Sequence, residues 1–186
     1  RDCLLSRGLG DVYKRQVLLS CGRGGKALDT APSRVVPDSF AIGLNLFNKG
    51  RAASHSSANM DSVLFYMQLA ENFFKREGDK AQVNRFIAFI YSSRGMLDEA
   101  VPYFLKASRM ADEWQYSSIC QEVAKAYAAA GRFREGVLVL DLIRKNMNDR
   151  KVVPYYHLAK GNLWAGVNEY DSAVTYYRTA SISLNR

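Results

Sequence analysis

A four-residue pattern recurs along the chain at intervals of 36 or 37 residues, and this regularity limits the possible folds more than any other feature. Each copy starts with a large apolar residue, continues with a polar pair, and ends with a small or β-branched residue. The four copies occupy residues 60–63, 97–100, 133–136 and 170–173. A period of this length predicts repeated supersecondary units that bury their apolar faces against one another.

Residues 82–107 predict what the unit is. Apolar residues recur every three or four positions on both sides of Gly95, which is the spacing that places side chains on one helical face. They are Phe86, Ile87, Ile90 and Tyr91 before the glycine and Leu97, Val101, Phe104 and Leu105 after it. Ala100 and Ala107 are small enough to let two helices approach closely. The predicted unit is therefore an antiparallel helical hairpin with a glycine-containing turn.

The first helix of each unit carries its own landmark, a small residue one turn before an aromatic one. The pairs are Ala88 with Tyr91, Ala124 with Tyr127, and Gly161 with Trp164. Together with the period, these landmarks resemble the tetratricopeptide repeat (TPR) family, whose repeat is about 34 residues long. The resemblance covers residues 38–186. It implies an all-α fold, a right-handed α-solenoid of about four antiparallel helix hairpins that follows an irregular N-terminal tail.

The resemblance also implies a function, the non-enzymatic binding of a protein or peptide in the concave groove that the first helices line. The implied groove positions are Gln82, Arg85, Phe89, Ser118, Gln121, Lys125, Tyr155, Leu158 and Asn162. Arg85 and Lys125 would pair with peptide carboxylates, and Phe89 and Tyr155 would supply apolar anchors. The alternative for each of these residues is that it solvates an inner helix face.

The chain departs from the family's clamp for a C-terminal carboxylate. Phe89 stands where an asparagine is expected, and Glu122 and Ala159 replace other polar members. We therefore do not expect a receptor for chaperone tails.

The N-terminal segment, residues 1–37, is predicted to lie outside the repeat domain. Residues 1–16 resemble a translated sequencing adaptor. The following Val-Leu-Leu-Ser-Cys run resembles the end of a bacterial lipoprotein signal peptide, which implies lipidation of Cys21 and an extracytoplasmic protein tethered at the membrane, in the periplasm or at the outer membrane. The alternative is a cysteine in an apolar tail, since the run is too short to span a bilayer. Residues 22–37 are predicted to be a linker.

Proline, glycine and N-capping residues predict several helix boundaries. Pro37, Asp38 and Ser39 predict a helix start, and Gly50 predicts its end. The second helix is expected to begin at Asp61 or Ser62 and to end near Arg76, closed by Gly78. Turns are expected at residues 113–115 and 146–153, with Pro154 in the first turn of the last hairpin.

No catalytic, cofactor or metal site is expected. The two histidines, His55 and His157, belong to no metal-binding or hydrolytic motif. Gly25 and Lys26 lack the flanking residues of a phosphate-binding loop. Asp98, Glu99 and Asp171 lie at predicted helix starts, where capping accounts for them. Of the three cysteines, Cys120 is predicted to be a small core residue, so no disulfide framework is indicated.

The charge does not indicate a nucleic-acid partner. The net charge is +8, and +6 remains when residues 1–16 are set aside. The basic residues alternate with acidic ones at helical spacing, as on a solvated surface. Val174, Tyr177 and Ile182 on the last helix have no predicted cover, so we expect the natural chain to continue past Arg186. The repeat array, with its DSA-like second-helix starts, also resembles the N-terminal part of bacterial regulators. This resemblance leaves a second function open, the sensory N-terminal region of a longer regulator with a histidine kinase or DNA-binding output module.

Overall fold

The computed structural model describes residues 38–55, 60–144 and 152–184, and this part of the chain is helical without any β-strand. The tail predictions, including those for Cys3 and Cys21, lie outside the described residues. Residues Pro37–Arg186 form one compact unit. Its helices are α1 (Ser39–His55), α2 (Met60–Phe73), α3 (Glu77–Ser93), α4 (Leu97–Met110), α5 (Glu113–Ala129), α6 (Phe133–Leu142), α7 (Val153–Gly166) and α8 (Tyr170–Leu184). The predicted all-α class is confirmed.

The helices pack mainly on their neighbours in the chain. Contacts join α1 to α2, α3 to α4, α5 to α6 and α7 to α8, and each such pair touches the next through its second helix. In addition, α5 contacts both α3 and α7, whereas successive second helices make no comparable contact in the described part of the chain. The first helices α3, α5 and α7 therefore lie closer to one another than the second helices do.

One turn geometry recurs between the two helices of successive pairs. Gly95, Gly131 and Asn168 have positive φ angles of 78°, 69° and 63°, and they are 36 and 37 residues apart. The residue that follows each of these three donates its backbone N–H to the carbonyl of an aromatic residue five positions earlier, at 2.9–3.1 Å. The aromatic acceptors are Tyr91, Tyr127 and Trp164. These bonds satisfy helix-end carbonyls, as in a Schellman motif. The aromatic landmarks of the sequence are thus also the carbonyl acceptors of the turns.

Small residues lie where helices approach most closely. Ala100 and Ala173 are buried, and Gly136 occupies the equivalent position in the third copy of the pattern. A Cβ atom on Gly136 would lie 2.7 Å from the Tyr127 Cβ, and one on Gly161 would lie 2.5 Å from the Tyr177 ring. These distances are shorter than van der Waals contact, so the predicted close approach of helices is confirmed.

Two glycines were given the wrong role. Gly50 does not end α1, which continues to His55. It is buried, and its missing side chain leaves room for the Met67 side chain, so it acts as a contact residue. Gly78 does not close α2 either, because α2 ends at Phe73 and Gly78 lies in the first turn of α3. Glycine at a close helix contact and glycine at a helix end look alike in sequence.

The turn expected at residues 113–115 lies slightly earlier. Asp112 caps α5, accepting from the Gln115 backbone N–H at 2.8 Å, while the Gln115 side chain accepts from the Asp112 N–H at 3.2 Å. This reciprocal capping box brings residues 113–115 into the helix. The Gln115 side chain also donates to the Gly78 carbonyl at 2.9 Å, which ties the start of α5 to the start of α3. Pro154 lies in the first turn of α7, as predicted.

The apolar residues form two buried clusters. One gathers residues of α1, α2 and α3, and the other runs from α3 to α7. Cys120 is fully buried in the second cluster, as predicted. A polar bridge spans α2, α3 and α4, where Glu71 accepts from Asn84 and from Lys106, both at 2.9 Å. Neighbouring helix pairs therefore share both core and polar contacts.

Candidate functional site

A group of ionisable side chains links α6, α7 and α8. Lys160 is only 6% exposed, and its ammonium donates to the two carboxylate oxygens of Asp141 at 3.0 and 3.2 Å. The Tyr156 hydroxyl also donates to Asp141. The Lys160 Nζ lies 4.9 Å from the centroid of the Tyr176 ring, within cation–π range. The buried positive charge is therefore matched on several sides.

The protonation states of this group are fixed. Burial opposes ionisation of Asp141, but hydrogen bonds from Tyr156 and Lys160 outweigh it and hold the pKa of Asp141 below its ordinary value. Burial also opposes the charge on Lys160, yet its hydrogen bonds keep the pKa of Lys160 above its ordinary value. Burial and the bond to Asp141 raise the pKa of Tyr156 to about 12. Each of these shifts favours the ordinary protonation state of its group at neutral pH, and the hydrogen bonds of Asp141 to Tyr156 and Lys160 join α6 to α7.

The other titratable residues singled out from sequence show no catalytic arrangement. His157 stacks on Tyr176 with ring centroids 5.8 Å apart, and burial, then the charge of Lys160, lowers the pKa of His157. Burial raises the pKa of the Cys120 thiol to about 12, which makes it unreactive. Within the described ranges no group of three or more metal-ligating side chains comes together. His55 is exposed at the last residue of α1.

The carboxylates at the helix starts lie in first turns, and one of them, Asp98, makes a contact that was not expected. Asp98, Glu99 and Asp171 lie in the first turns of their helices, which suits the helix dipole. The N-cap of α4 is Met96, whose side chain makes no capping hydrogen bond. Asp98 instead accepts from the Arg132 guanidinium at 3.0 Å, across the interval between two repeats.

An ion pair joins α3 to α5. The Arg85 guanidinium lies 3.5 Å from a Glu122 carboxylate oxygen, and these side chains are 16% and 25% exposed. The guanidinium carbon also lies 5.6 Å from the centroid of the Trp114 ring. Arg85 was predicted to meet a peptide carboxylate, but in the structure its charge already has a carboxylate partner and an aromatic neighbour.

Glu122 is incompletely satisfied by this pairing. Its second carboxylate oxygen is buried and has no hydrogen-bond partner within the described residues. Burial raises the pKa of Glu122, and the positive charges of Arg85 and Lys125 offset only part of this effect. The ionised carboxylate therefore carries an uncompensated desolvation cost.

A pocket of about 270 Å³ opens between α3 and α5 next to this ion pair. Its walls are formed by Phe89, Ser92, Ser93, Glu122, Lys125, Ala126 and Ala129. Both serine hydroxyls donate to backbone carbonyls of α3, at 3.0 and 2.9 Å, so they are not free to bind a ligand as donors. Phe89 is 47% exposed at the wall. Lys125 is exposed and makes no ion pair within the described residues, although its charge acts on the nearby Glu122 carboxylate, and its ammonium group lies beside an apolar surface.

The remaining predicted groove residues are distributed along the first helices. Gln82 and Ser118 are half-buried on α3 and α5, whereas Gln121 is exposed. On α7, which packs against α5, Tyr155 is half-buried and Leu158 is exposed. Asn162, also on α7, accepts from the Tyr177 hydroxyl of α8 at 2.9 Å, so its carbonyl oxygen is already bound.

Sequence reasoning missed Trp114 as part of this surface. It lies in the first turn of α5, is 68% exposed, and faces Arg85. The available signal was a tryptophan one heptad before Gln121, which is two helical turns along nearly the same face. The structure thus brings Arg85, Phe89 and Lys125 together with Trp114 and Glu122 on one two-helix surface.

A second pocket, of about 370 Å³, lies at the start of α1 and is less suited to a ligand. It is lined by Asp38, Ser39, Phe40, Phe73, Lys75, Arg76 and Asp79. Arg76 is bound by both carboxylate oxygens of Asp79, at 2.8 and 3.1 Å, and lies 5.5 Å from the centroid of the Phe40 ring. Asp38 accepts from the backbone N–H of Phe40. Most of the charged groups that line this pocket are therefore already hydrogen-bonded to other groups of the protein.

None of the described helices combines the length and apolarity needed to cross a bilayer. No protein-family model matches the chain, and no curated protein shows a significant match to it.

Proposed function

We propose that residues 38–186 form a right-handed solenoid of about four TPR-like hairpins that binds a protein or peptide segment on its first helices, without catalysis. The recurrence of one turn geometry every 36 or 37 residues supports equivalent hairpins. The contacts of α5 with α3 and α7, together with the weaker contacts between second helices, support a curved array with the first helices on its inner side. Such inner surfaces are the binding surfaces of solenoid proteins.

The observation that carries the binding proposal is the pocket between α3 and α5. Phe89 leaves nearly half of its surface in water at the wall of this pocket, beside the unpaired Lys125. Apolar anchors that fill pockets contribute most of the energy at peptide interfaces, while surrounding charges orient the partner.

The test compares two exposed phenylalanines. Peptides are selected from a random phage-displayed library against the protein, and their binding to Phe89→Ser and Phe65→Ser variants is measured by fluorescence anisotropy. Phe65 is 60% exposed on α2, a second helix. Because neither residue is buried, both variants should keep the helical content and melting temperature of the parent.

The proposal predicts that Phe89→Ser weakens peptide binding about tenfold or more, in line with the loss of an apolar anchor, and that Phe65→Ser leaves it unchanged. Equal loss in both variants, or no loss in Phe89→Ser, would contradict binding at the first helices. Lipidation of Cys21 and an extracytoplasmic location remain predictions, tested by labelling with a radioactive fatty acid in the parent and in Cys21→Ala.

A further inference from the structure

We infer that the pocket between α3 and α5 takes an internal peptide segment in which an apolar side chain is followed by an aspartate or glutamate. The apolar side chain would occupy the pocket, and the carboxylate would pair with Lys125. This inference rests on the proposed function and names the chemistry of the partner at that surface.

The size and walls of the pocket favour a single apolar side chain. Its volume of about 270 Å³ is below the usual range of small-molecule sites. Phe89, Ala126 and Ala129 supply apolar walls, and the hydroxyls of Ser92 and Ser93 are already bonded to backbone carbonyls. A leucine-sized group placed there would exchange water contacts for these apolar walls without leaving a polar group of its own unpaired.

The charges at the pocket favour an acidic neighbour over a basic one. Arg85 and Glu122 pair with each other, so the unpaired charge at the rim is the ammonium of Lys125. A basic residue would have to approach that ammonium, and it would not reach the second oxygen of Glu122, which is buried. Charge complementarity therefore selects an anionic side chain.

Glu122 is the one group at the pocket that opposes this partner. Its negative charge is offset by Arg85 at 3.5 Å, and Trp114 covers the guanidinium from the side of α5. Among the described residues the charged side chains that line the pocket are Glu122 and Lys125 of α5, and Arg85 of α3 reaches the site only through its ion pair with Glu122. The pair is neutral overall, which leaves Lys125 to set the sign.

The test uses three libraries of 12-residue peptides with acetylated N-termini and amidated C-termini. Each library has leucine fixed at its centre, followed by aspartate, asparagine or lysine, with the other positions mixed. The fraction that immobilised protein retains is measured for the parent and for the variants Lys125→Gln, Arg109→Gln, Ala129→Leu and Phe89→Ser. Arg109 is an exposed cation on the second helix α4 and serves as the matched control. A fourth library with a free C-terminus and no acidic side chain tests whether a terminal carboxylate is preferred.

The expected result is that aspartate is retained about two to five times better than asparagine, the range of one exposed charge pair, with lysine retained least. Lys125→Gln should remove this order, and Arg109→Gln should keep it. Ala129→Leu, which narrows the pocket at an exposed helix end, should lower retention of all three libraries, as should exchange of the fixed leucine for serine.

The failures are distinguishable. Equal retention of the three libraries, a preference for lysine, or better retention of the free C-terminus overturns the acidic internal partner, while sensitivity to Phe89→Ser would still support the groove. If the Phe89→Ser and Ala129→Leu variants retain the libraries as well as the parent does, the inference and the proposed function are both overturned. The same follows if the parent retains no more peptide than uncoated resin.

Discussion

Substitution of Gly136 by alanine tests whether the repeat places helices in direct backbone contact. The added Cβ would lie 2.7 Å from the Tyr127 Cβ and 3.0 Å from a Leu163 methyl group. The Tyr127 Cβ is bonded to the backbone of α5, so it cannot move away by a side-chain rotation alone. Alanine gains about 1 kcal/mol of helix propensity over glycine, but overpacking of a core contact costs about 1–3 kcal/mol. We therefore expect a net loss of about 0–2 kcal/mol.

Gly78 provides the matched control within the same fold. It lies in the first turn of α3, and its added Cβ would meet only the Gln115 amide group, at 3.7 Å or more. This is ordinary contact, so Gly78→Ala should keep the propensity gain of up to about 1 kcal/mol. The two variants should thus differ by about 1–3 kcal/mol in the free energy of unfolding.

The assay is thermal unfolding followed by circular dichroism at 222 nm, with urea unfolding as a second measurement. For a unit of this size 1 kcal/mol corresponds to about 2–4 °C in Tm, so Gly136→Ala should melt about 2–12 °C below Gly78→Ala. If Gly136→Ala melts at or above Gly78→Ala, α5 and α6 do not approach as closely as the structure has them.

Three further substitutions test the polar contacts. Asp141→Asn should destabilise the protein by about 1–3 kcal/mol because it leaves the buried Lys160 charge without its carboxylate, whereas Lys160→Met should cost less because it removes that charge; urea midpoints that rank them in the opposite order would refute this. Glu122→Gln should be neutral or should stabilise the protein by up to about 1 kcal/mol at pH 7. The stability gained over the parent should vanish as the pH falls through the raised folded-state pKa of Glu122, because the parent carboxyl then becomes neutral. A difference in Tm between variant and parent that stays constant from pH 7 to pH 4 would contradict this. The pKa of His157 is lowered in the folded state, so the stability of the protein should fall as the pH drops below the unfolded-state pKa of 6.5. His157→Phe should therefore flatten the plot of Tm against pH between pH 8 and pH 5.5. A plot as steep as that of the parent would contradict this.

The turns and the close contacts could be predicted because single residues carry them. Gly95 has the left-handed backbone that its place after an apolar stripe indicates, and Ala100 is buried where a small residue was expected. Gly50 and Gly78 were misassigned because glycine gives the same signal at a helix end and at a helix contact. Which of the two applies depends on the neighbouring helix, and the local sequence does not contain that neighbour.

The candidate site could be predicted only in part, for a related reason. The positions of Phe89 and Lys125 on first-helix surfaces are implied by the resemblance to the repeat family, and the structure places both at one pocket. The ion pair of Arg85 could not be predicted from the sequence, because its partner Glu122 is 37 residues away and on another helix. A pairing between helices depends on their relative rotation, which periodicity leaves undetermined.

Chemical-shift mapping would test the binding proposal most directly. The ¹⁵N-labelled protein is titrated with one of the phage-selected peptides, and the amide signals that move are assigned to helices. Binding on the first helices predicts shifts concentrated in α3 and α5 around Phe89 and Lys125, and lost in Phe89→Ser. Shifts concentrated in α2, α4 or α6, with α3 and α5 unchanged, would contradict the account.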